Sequence, residues 1–490
     1  MPWVEAALAL PVLVALTAVI VALSPSQAAV HVQRYLVLIS GWVTLLAAVL
    51  LLTRVAAGAN LHGFFQVDAL SALFLLPVGI LGAAAATASW AQQSPPARDA
   101  DGGRDDRLFG WLFPTFLAVM VAVTLAGNLV FLWVTLEATT VSSALLVDRA
   151  GTSRSVEAAW KFVLLTGAGS LCSLFSLGFL LAAVPTPVPD WSALLSFARA
   201  GHLDPALAAV AFALALVGFG AKIGLFPLHP WLPDAHSEAP SPVSTLLSGA
   251  ELGLAVYALV RYLLLVRPAL GAWSQETLLA AGLLSAAAGA VMILVSRDLK
   301  RLLAWSTLEN MGLIVAGFGL GGELGAGAAL LQMLYHSLAK GSLFLAAGPV
   351  TEEGGSRDLS ALAGSLARSP VPAAVLLLSG FAVAGSPPFG NFLSELGLLG
   401  AAFAASPLLA VLLATVLLTS LTGLVYHLTK MTFIAREPPS PTPTPPEVGT
   451  SANPWAVAAA VFSGVILLIF SLHLPGPVAQ LMRAAAKLAG

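Results

Sequence analysis

Glu137, Lys222, Lys340 and Glu395 each sit inside an apolar run long enough to cross a bilayer. An ionised side chain at the bilayer centre costs about 2.5–3.5 kcal/mol on insertion scales, so such residues persist where they have partners, water and usually a task. Carboxylates and amines linked by water can exchange protons. A lysine kept dry gives up its proton more readily, and a nearby carboxylate reverses that. Glu137 follows the Gly127-Asn128 turn by nine residues, which is about 13 Å of helix and near the middle of the hydrocarbon core. Lys222 stands just before a proline break and is the natural counter-charge for Glu137. Lys340 lies near the middle of its run, with His336 one helical turn earlier on the same face. Glu395 follows a second proline break. Ion pairs that merely fasten helices explain one such residue well. They explain four, two of them beside helix breaks, less well.

A second tier of polar residues surrounds these. His229, Asp234 and His236 follow Pro227. Their spacing is not a zinc pattern and no third helix-held ligand is evident, so proton entry or structural hydrogen bonding is expected and a metal is not. Glu251 and the Glu309-Asn310 pair lie in apolar surroundings, and Glu157 with Lys161 has the i,i+4 spacing of a simple ion pair. No nucleophile–base set or cofactor loop is visible, so no catalytic residue is assigned. The one cysteine, Cys172, cannot build a disulfide or a metal–thiolate site alone.

The elements that must hold these side chains are membrane helices. The 490 residues are 58% hydrophobic and 9% charged, against about a quarter charged in a soluble domain. The net charge of -2 gives no case for nucleic acid. Fourteen candidate spans are expected, at 3–23, 35–54, 66–90, 109–126, 129–147, 158–183, 205–226, 241–265, 276–296, 302–321, 324–348, 371–402, 406–432 and 454–473. The first reads as a span rather than a cleaved signal, because no basic segment precedes it. Two connections look water-exposed: the charged stretch from Gln92 to Arg107 and the Pro-rich stretch from Arg436 to Pro454. The tail after Pro477 has the pattern of a short interfacial helix.

Pro227 breaks the seventh span, and Pro387 and Pro388 break the twelfth. In lipid, such breaks survive only where protein or a water-filled cavity satisfies the backbone. Their spacing of five helices divides the chain into N-terminal helices with a charged loop (1–108), a first five-helix repeat (109–265), a second, inverted repeat (276–432), a Pro-rich loop (433–453) and a last span with its tail (454–490). Paired broken helices in repeated halves point to a transport site. Loops on the side opposite the termini carry 13 basic residues against 6 on the terminal side. Both termini are therefore expected on the non-cytoplasmic side of a cell membrane, the bacterial inner membrane.

The run from Lys222 through Phe226-Pro227-Leu228-His229-Pro230-Trp231-Leu232-Pro233-Asp234-Ala235-His236 to Pro242-Val243-Ser244 is distinctive. So are Asn128 to Glu137, Arg297 to Ser306, Tyr335-His336-Ser337-Leu338-Ala339-Lys340 and Pro387 to Glu395. Together they resemble the antiporter-like membrane subunits shared by respiratory complex I, Mrp antiporters and group 4 membrane-bound [NiFe] hydrogenases, and in wording the hydrogenase-4 component F type. The resemblance covers about Val67 to Phe433. It implies an all-α fold of about fourteen spans with two inverted five-helix repeats. His229, Asp234, His236, Glu251, Glu309 and Lys161 are expected from their own placement as further relay or entry groups, and the resemblance adds a proton relay of Glu137 coupled to Lys222, then His336 with Lys340, then Glu395. It also implies that this chain binds no cofactor. Its partners would be other membrane subunits of the complex and a peripheral redox module. Two positions depart from the family pattern: Gly253 stands where a central lysine is common in the eighth span, and Asn310 where a histidine is common in the tenth. Glu251 is two residues from Gly253 and so is expected on a different face, not as its substitute.

Overall fold

The computed structural model describes residues 2–24, 26–92, 102–184, 190–434 and 453–490. Most of the charged 92–107 stretch and of the Pro-rich 436–454 stretch lies outside those residues. The described chain is helical throughout, apart from turns and isolated bridges such as Leu61 with Val67. Its helices are α1 (Pro2–Ala22), α2 (Gln27–Ala56), α3 (Ala69–Gln92), α4 (Gly102–Thr124), α5 (Leu129–Val147), α6 (Ser153–Ala182), α7 (Trp191–Arg199), α8 (Pro205–Ile223), α9 (Trp231–Glu238) and α10 (Ser241–Leu246). A π-helical turn, Leu247–Glu251, joins α10 to α11 (Leu252–Leu270). Then follow α12 (Ala272–Val295), α13 (Leu299–Leu320), α14 (Gly322–Gly354), α15 (Ser365–Arg368), α16 (Pro370–Val383), α17 (Gly390–Ala405), α18 (Pro407–Phe433), α19 (Pro454–Leu472) and α20 (Gly476–Ala489).

Twelve spans among the described helices are long and apolar enough to cross a membrane. The two other expected spans are α14, whose apolar run is interrupted by Gln332, His336 and Lys340, and the α16–α17 pair, split at its proline break. The helices sort into an inner and an outer set. The α10–α11 span, α3 and α13 are almost wholly covered by neighbours. By contrast α1, α12 and α18 turn Leu13, Ile20, Val291, Val295, Val411 and Leu418 outward, where acyl chains can cover them.

Small residues set the closest approach. A side chain at Gly282, Gly289 or Gly319 would strike the facing backbone of the α12–α13 pair, and one at Gly312 would strike Ala286 and Gly282. Backbones meet this closely in membranes because packing, not water exclusion, holds the helices together. Gly312→Val is expected to lower the unfolding midpoint of the purified protein, at a cost of about 1–3 kcal/mol. Gly167→Val, which meets open space, should leave it unchanged in the same melt.

Both breaks are satisfied by protein. The first follows Ile223: Gly224 takes φ +79°, Phe226–Pro227 is cis, and the chain resumes in α9. Trp231 Nε1 donates to the freed Ala221 carbonyl at 2.9 Å, and the Phe226 amide donates to Ser285 Oγ at 3.0 Å. The second follows Val383: Gly385 takes φ +70°, Pro387–Pro388 is cis, and the Gly390 amide donates to Ser471 Oγ at 3.1 Å.

The structure departs from the expectations at four places. The expected seventh span stops at 226, but the residues after Pro227 are helical and largely buried. They form α9, which buries Trp231, Leu232, Ala235 and His236, so the seventh span continues past its break. Arg261, counted with the terminal-side loops, is 1% exposed within the α10–α11 span and paired with Asp68, which only sharpens the charge asymmetry. The amphipathic α7, capped by Asp190, was not anticipated. The helical tail does form, as α20, but it packs Val478, Leu481 and Met482 into the bundle against α14 and α3.

Candidate functional site

Two clusters of buried ionisable groups lie in the bundle, one beside each broken helix. The first is built on α8, α5 and the π turn. Asp204 caps α8 through its carboxylate, with Pro205 opening the helix, so the register that delivers Lys222 to the last turn is fixed from the start. Gly169 and Gly218 let α6 and α8 touch. Lys222 is 3% exposed. Its ammonium donates to Thr140 Oγ1 and to Glu251 Oε1, the latter at 3.1 Å. Thr139 and Ser143 also donate to Glu251 Oε1, at 3.0 and 3.1 Å. The second oxygen, Oε2, is buried without a hydrogen-bond partner.

The expected Glu137–Lys222 pair is therefore not made. Glu137 lies at the edge of the outward stripe of Val130, Val134, Val141 and Leu145 on α5 and is half-buried. No hydrogen bond or ion pair joins it to Lys222. The physical reason is helical phase: Thr139, Thr140 and Ser143 occupy the inward face, and Glu251 fills the place of the counter-charge. Glu251 closes a π turn, a local widening of the helix that is common at functional sites and that re-aims the residues it contains. Gly253 has different neighbours. A side chain there would meet Met333 and Phe74. Glu251 thus partners Lys222 and does not replace the absent lysine.

The second cluster runs along α14 and α13 to the other break. Lys340 is wholly buried and donates to the Leu303 carbonyl at 2.7 Å and to Ser306 Oγ. Glu309, 2% exposed, accepts from Asn310 Nδ2 at 2.6 Å. Asn310 Oδ1 accepts from Gln332 Nε2 at 2.7 Å, and Gln332 Oε1 accepts from Ser394 Oγ. Glu395, the next residue, folds its carboxylate onto the backbone of Gly385, in the space a side chain there would need. Glycine at a left-handed φ is required at that position on both counts.

Between the clusters stand two histidines. The His336 ring lies against the backbone of Ser248, in the same π turn as Glu251. The His236 ring stacks on Phe344 at 5.0 Å. Both are fully buried, and among the described residues the His236 ring has no hydrogen-bond partner while the His336 ring has at most the Ser248 backbone. Buried polar groups are seldom left unpaired, and water commonly completes them. His229 stacks on Phe226 near Trp305. Asp234 sits at the loop end, bridged by Lys161 at 2.9 Å and Arg301 at 2.7 Å, and Lys161 also holds Glu157 at 2.7 Å as its spacing suggested.

Sequence reasoning missed Thr139, Thr140, Ser143, Ser306 and Gln332. A signal existed for the last: Gln332, His336 and Lys340 recur every four residues and form one polar stripe down an apolar helix.

Residues 126–422 match the transmembrane family described as NADH:quinone oxidoreductase/Mrp antiporter. The chain belongs to that family. A hydrogenase-4 component F homolog of Methylacidiphilum infernorum is 37% identical over 388 residues, spanning 76% of this chain and 79% of the relative. A chain of the membrane-bound sulfane sulfur reductase, an archaeal respiratory membrane complex, superposes with TM-score 0.86 at 21% identity, covering 99% of this chain and 97% of its own. That likeness is one of fold. A chain of respiratory complex I from Thermus thermophilus superposes with TM-score 0.79 at 26% identity, covering 99% of this chain and all of its own. This is an integral membrane protein of the antiporter-like subunit family, and its structural neighbours are subunits of multi-subunit membrane complexes.

Proposed function

We propose that this chain is a proton-translocating membrane subunit of an energy-converting oxidoreductase complex, of the NADH:quinone oxidoreductase or membrane-bound hydrogenase kind. The redox centres belong to a peripheral module on partner subunits, and this chain binds no cofactor. The single observation that carries the reading is the Lys222–Glu251 pair, sealed from lipid by three helices and embedded in hydroxyls beside a broken helix. In the second cluster Lys340 lies in the field of Glu309 without a direct bond to it. In this scheme the two halves, 109–265 and 276–432, are inverted repeats, the termini face the non-cytoplasmic side, and the host is the bacterial cell membrane.

A proton arriving at the Asp234 end meets His236, then His336 and the Lys222–Glu251 pair, and passes to Lys340, Glu309 and Glu395. Lysine and carboxylate change charge on loading, so each transfer alters the field at the next group. Asn310 and Gln332 exchange no protons, so the step from Glu309 to Glu395 runs through water beside their amide bridge. The test is proton flux into liposomes carrying the purified protein under an imposed membrane potential. The expected result is flux above that of empty liposomes with no requirement for sodium. Flux that needs sodium would favour cation/proton antiport without redox input. No flux above empty liposomes would leave a scaffold.

A further inference from the structure

At the loop ends of α12 and α18 a cavity of about 740 Å³ opens between the helices. None of the proton-carrying groups line it. Its wall carries Arg297, Lys430, His427 and Tyr426, with Met431 buried and Ile434 exposed beside them. Among the described residues the Lys430 ammonium reaches only Tyr426, 3.3 Å from the hydroxyl and 5.4 Å above the ring. Arg297 forms no ion pair among the described residues. His427 is tethered through Nε2 to the Leu294 carbonyl at 3.2 Å. Asp358 is the acid in the wall, and its Oδ1 is occupied by the Ser360 hydroxyl and by the amides of Ser360 and Ala361. The balance is two cations against one anion, Asp358, which lies in the field of Arg297 while its Oδ1 is taken by its own turn.

The cavity also faces the right medium. From the cavity toward the bilayer, α12 exposes Val291, Leu294 and Val295 and α18 exposes Leu418, while Tyr426 and Phe433 are exposed at the level of the cavity. An anion that sits here needs an apolar continuation. Basic pockets between membrane helices collect anionic headgroups, and tyrosine settles at headgroup depth. A soluble anion would satisfy the cations and gain nothing from this apolar track.

We infer that the cavity binds an anionic glycerophospholipid, its phosphodiester taken by Arg297 and Lys430 and its acyl chains laid along the seam of α12 and α18. The bound lipid fastens the loop end of α12 to α18, the outermost helix of that half.

The test is native mass spectrometry of the full chain in mild detergent, titrated with phosphatidylglycerol, phosphatidylcholine or inorganic phosphate. Wild type is expected to take up one phosphatidylglycerol about 30-fold more tightly than phosphatidylcholine, the combined effect of two basic groups near one headgroup. Arg297→Gln/Lys430→Gln should bring the two lipids level, and Arg483→Gln, on α20, should keep the preference. Far-ultraviolet circular dichroism of each variant confirms that it is folded. Equal binding of the two lipids by wild type, or an undiminished preference in the double variant, would overturn the inference. So would inorganic phosphate competing as well as the lipid, which would make the occupant a free oxyanion.

Discussion

Glu251→Gln is expected to cut proton flux on the order of 100-fold, the scale on which a positioned proton-exchanging group contributes. Glutamine keeps the shape and can still accept from Thr139 and Ser143, so the turn has no steric reason to move. It cannot bind a proton at neutral pH, and it leaves the Lys222 ammonium without a counter-charge. A buried pair broken on one side costs about 3–5 kcal/mol, because the survivor remains buried and unpaired. Lys222→Met should be as damaging. The pair acts as a unit, so Lys222→Met/Glu251→Gln is expected to conduct no worse than either single variant while regaining stability. Glu137→Gln should cost less. Its loss should multiply with that of Glu251→Gln, because the two acids share no partner in the structure. Flux in liposomes and the unfolding midpoint, measured on the same preparations, separate the two consequences. Wild-type flux in Glu251→Gln, or a near-complete loss confined to Glu137→Gln, would return the counter-charge role to helix α5.

The reason Glu251 was hard to read lies in one turn. A regular helix assigns faces by 100° steps, and on that basis Glu251 and Gly253 were correctly separated. Nothing in Leu247-Ser248-Gly249-Ala250-Glu251 announces a π turn, and so which neighbour would receive Glu251 was not legible. Glu137 was misread for a related cause. Depth along a helix follows from counting residues, but rotation toward the bundle depends on which face the neighbours cover. The existence of the breaks, by contrast, was legible, because proline removes a donor wherever it stands, although each helix stops four residues before its proline. Lys222, Lys340, His336 and Glu395 were legible as charges in apolar runs, and the structure buries all four. The neutral partners were not, since Thr140, Ser306 and Gln332 carry no insertion cost large enough to mark them. Arg261 hid differently. Near the end of an apolar run it looked like the start of a loop, and only its distant partner, 193 residues earlier in the chain, shows that it belongs inside.

That partner gives the largest structural effect to be expected. Asp68 and Arg261 form a two-pronged pair, with Nη1 to Oδ2 at 2.7 Å and Nη2 to Oδ1 at 2.8 Å. Arg261 Nη2 also donates to Tyr257 Oη and Ser71 Oγ, and Tyr257 donates on to the Thr124 carbonyl. The guanidinium lies over Trp191 as well, 5.1 Å from the ring centre. One arginine therefore ties α11 to α3, α4 and α7, at the end of the bundle remote from Asp234. Asp68→Ala is expected to destabilise the protein by about 3–5 kcal/mol, since a wholly buried guanidinium loses the carboxylate it is paired with. Asp68→Leu/Arg261→Met should recover most of that loss, because no charge is then left stranded. The same pair predicts an acid response. Burial pushes the Asp68 carboxyl up, but the Arg261 charge and hydrogen bonds from Arg261, Ser71 and Gln66 outweigh it and hold the pKa at about 2, below the ordinary 3.8. A group whose folded pKa is depressed stabilises fully above its unfolded pKa and loses that contribution as pH falls through the folded value. The melting temperature of the wild type should therefore fall between about pH 4 and pH 2 by more than that of Asp68→Leu/Arg261→Met. Identical acid profiles for the two proteins would mean that the pair, however well formed, contributes nothing to holding the N-terminal helices on the conducting half.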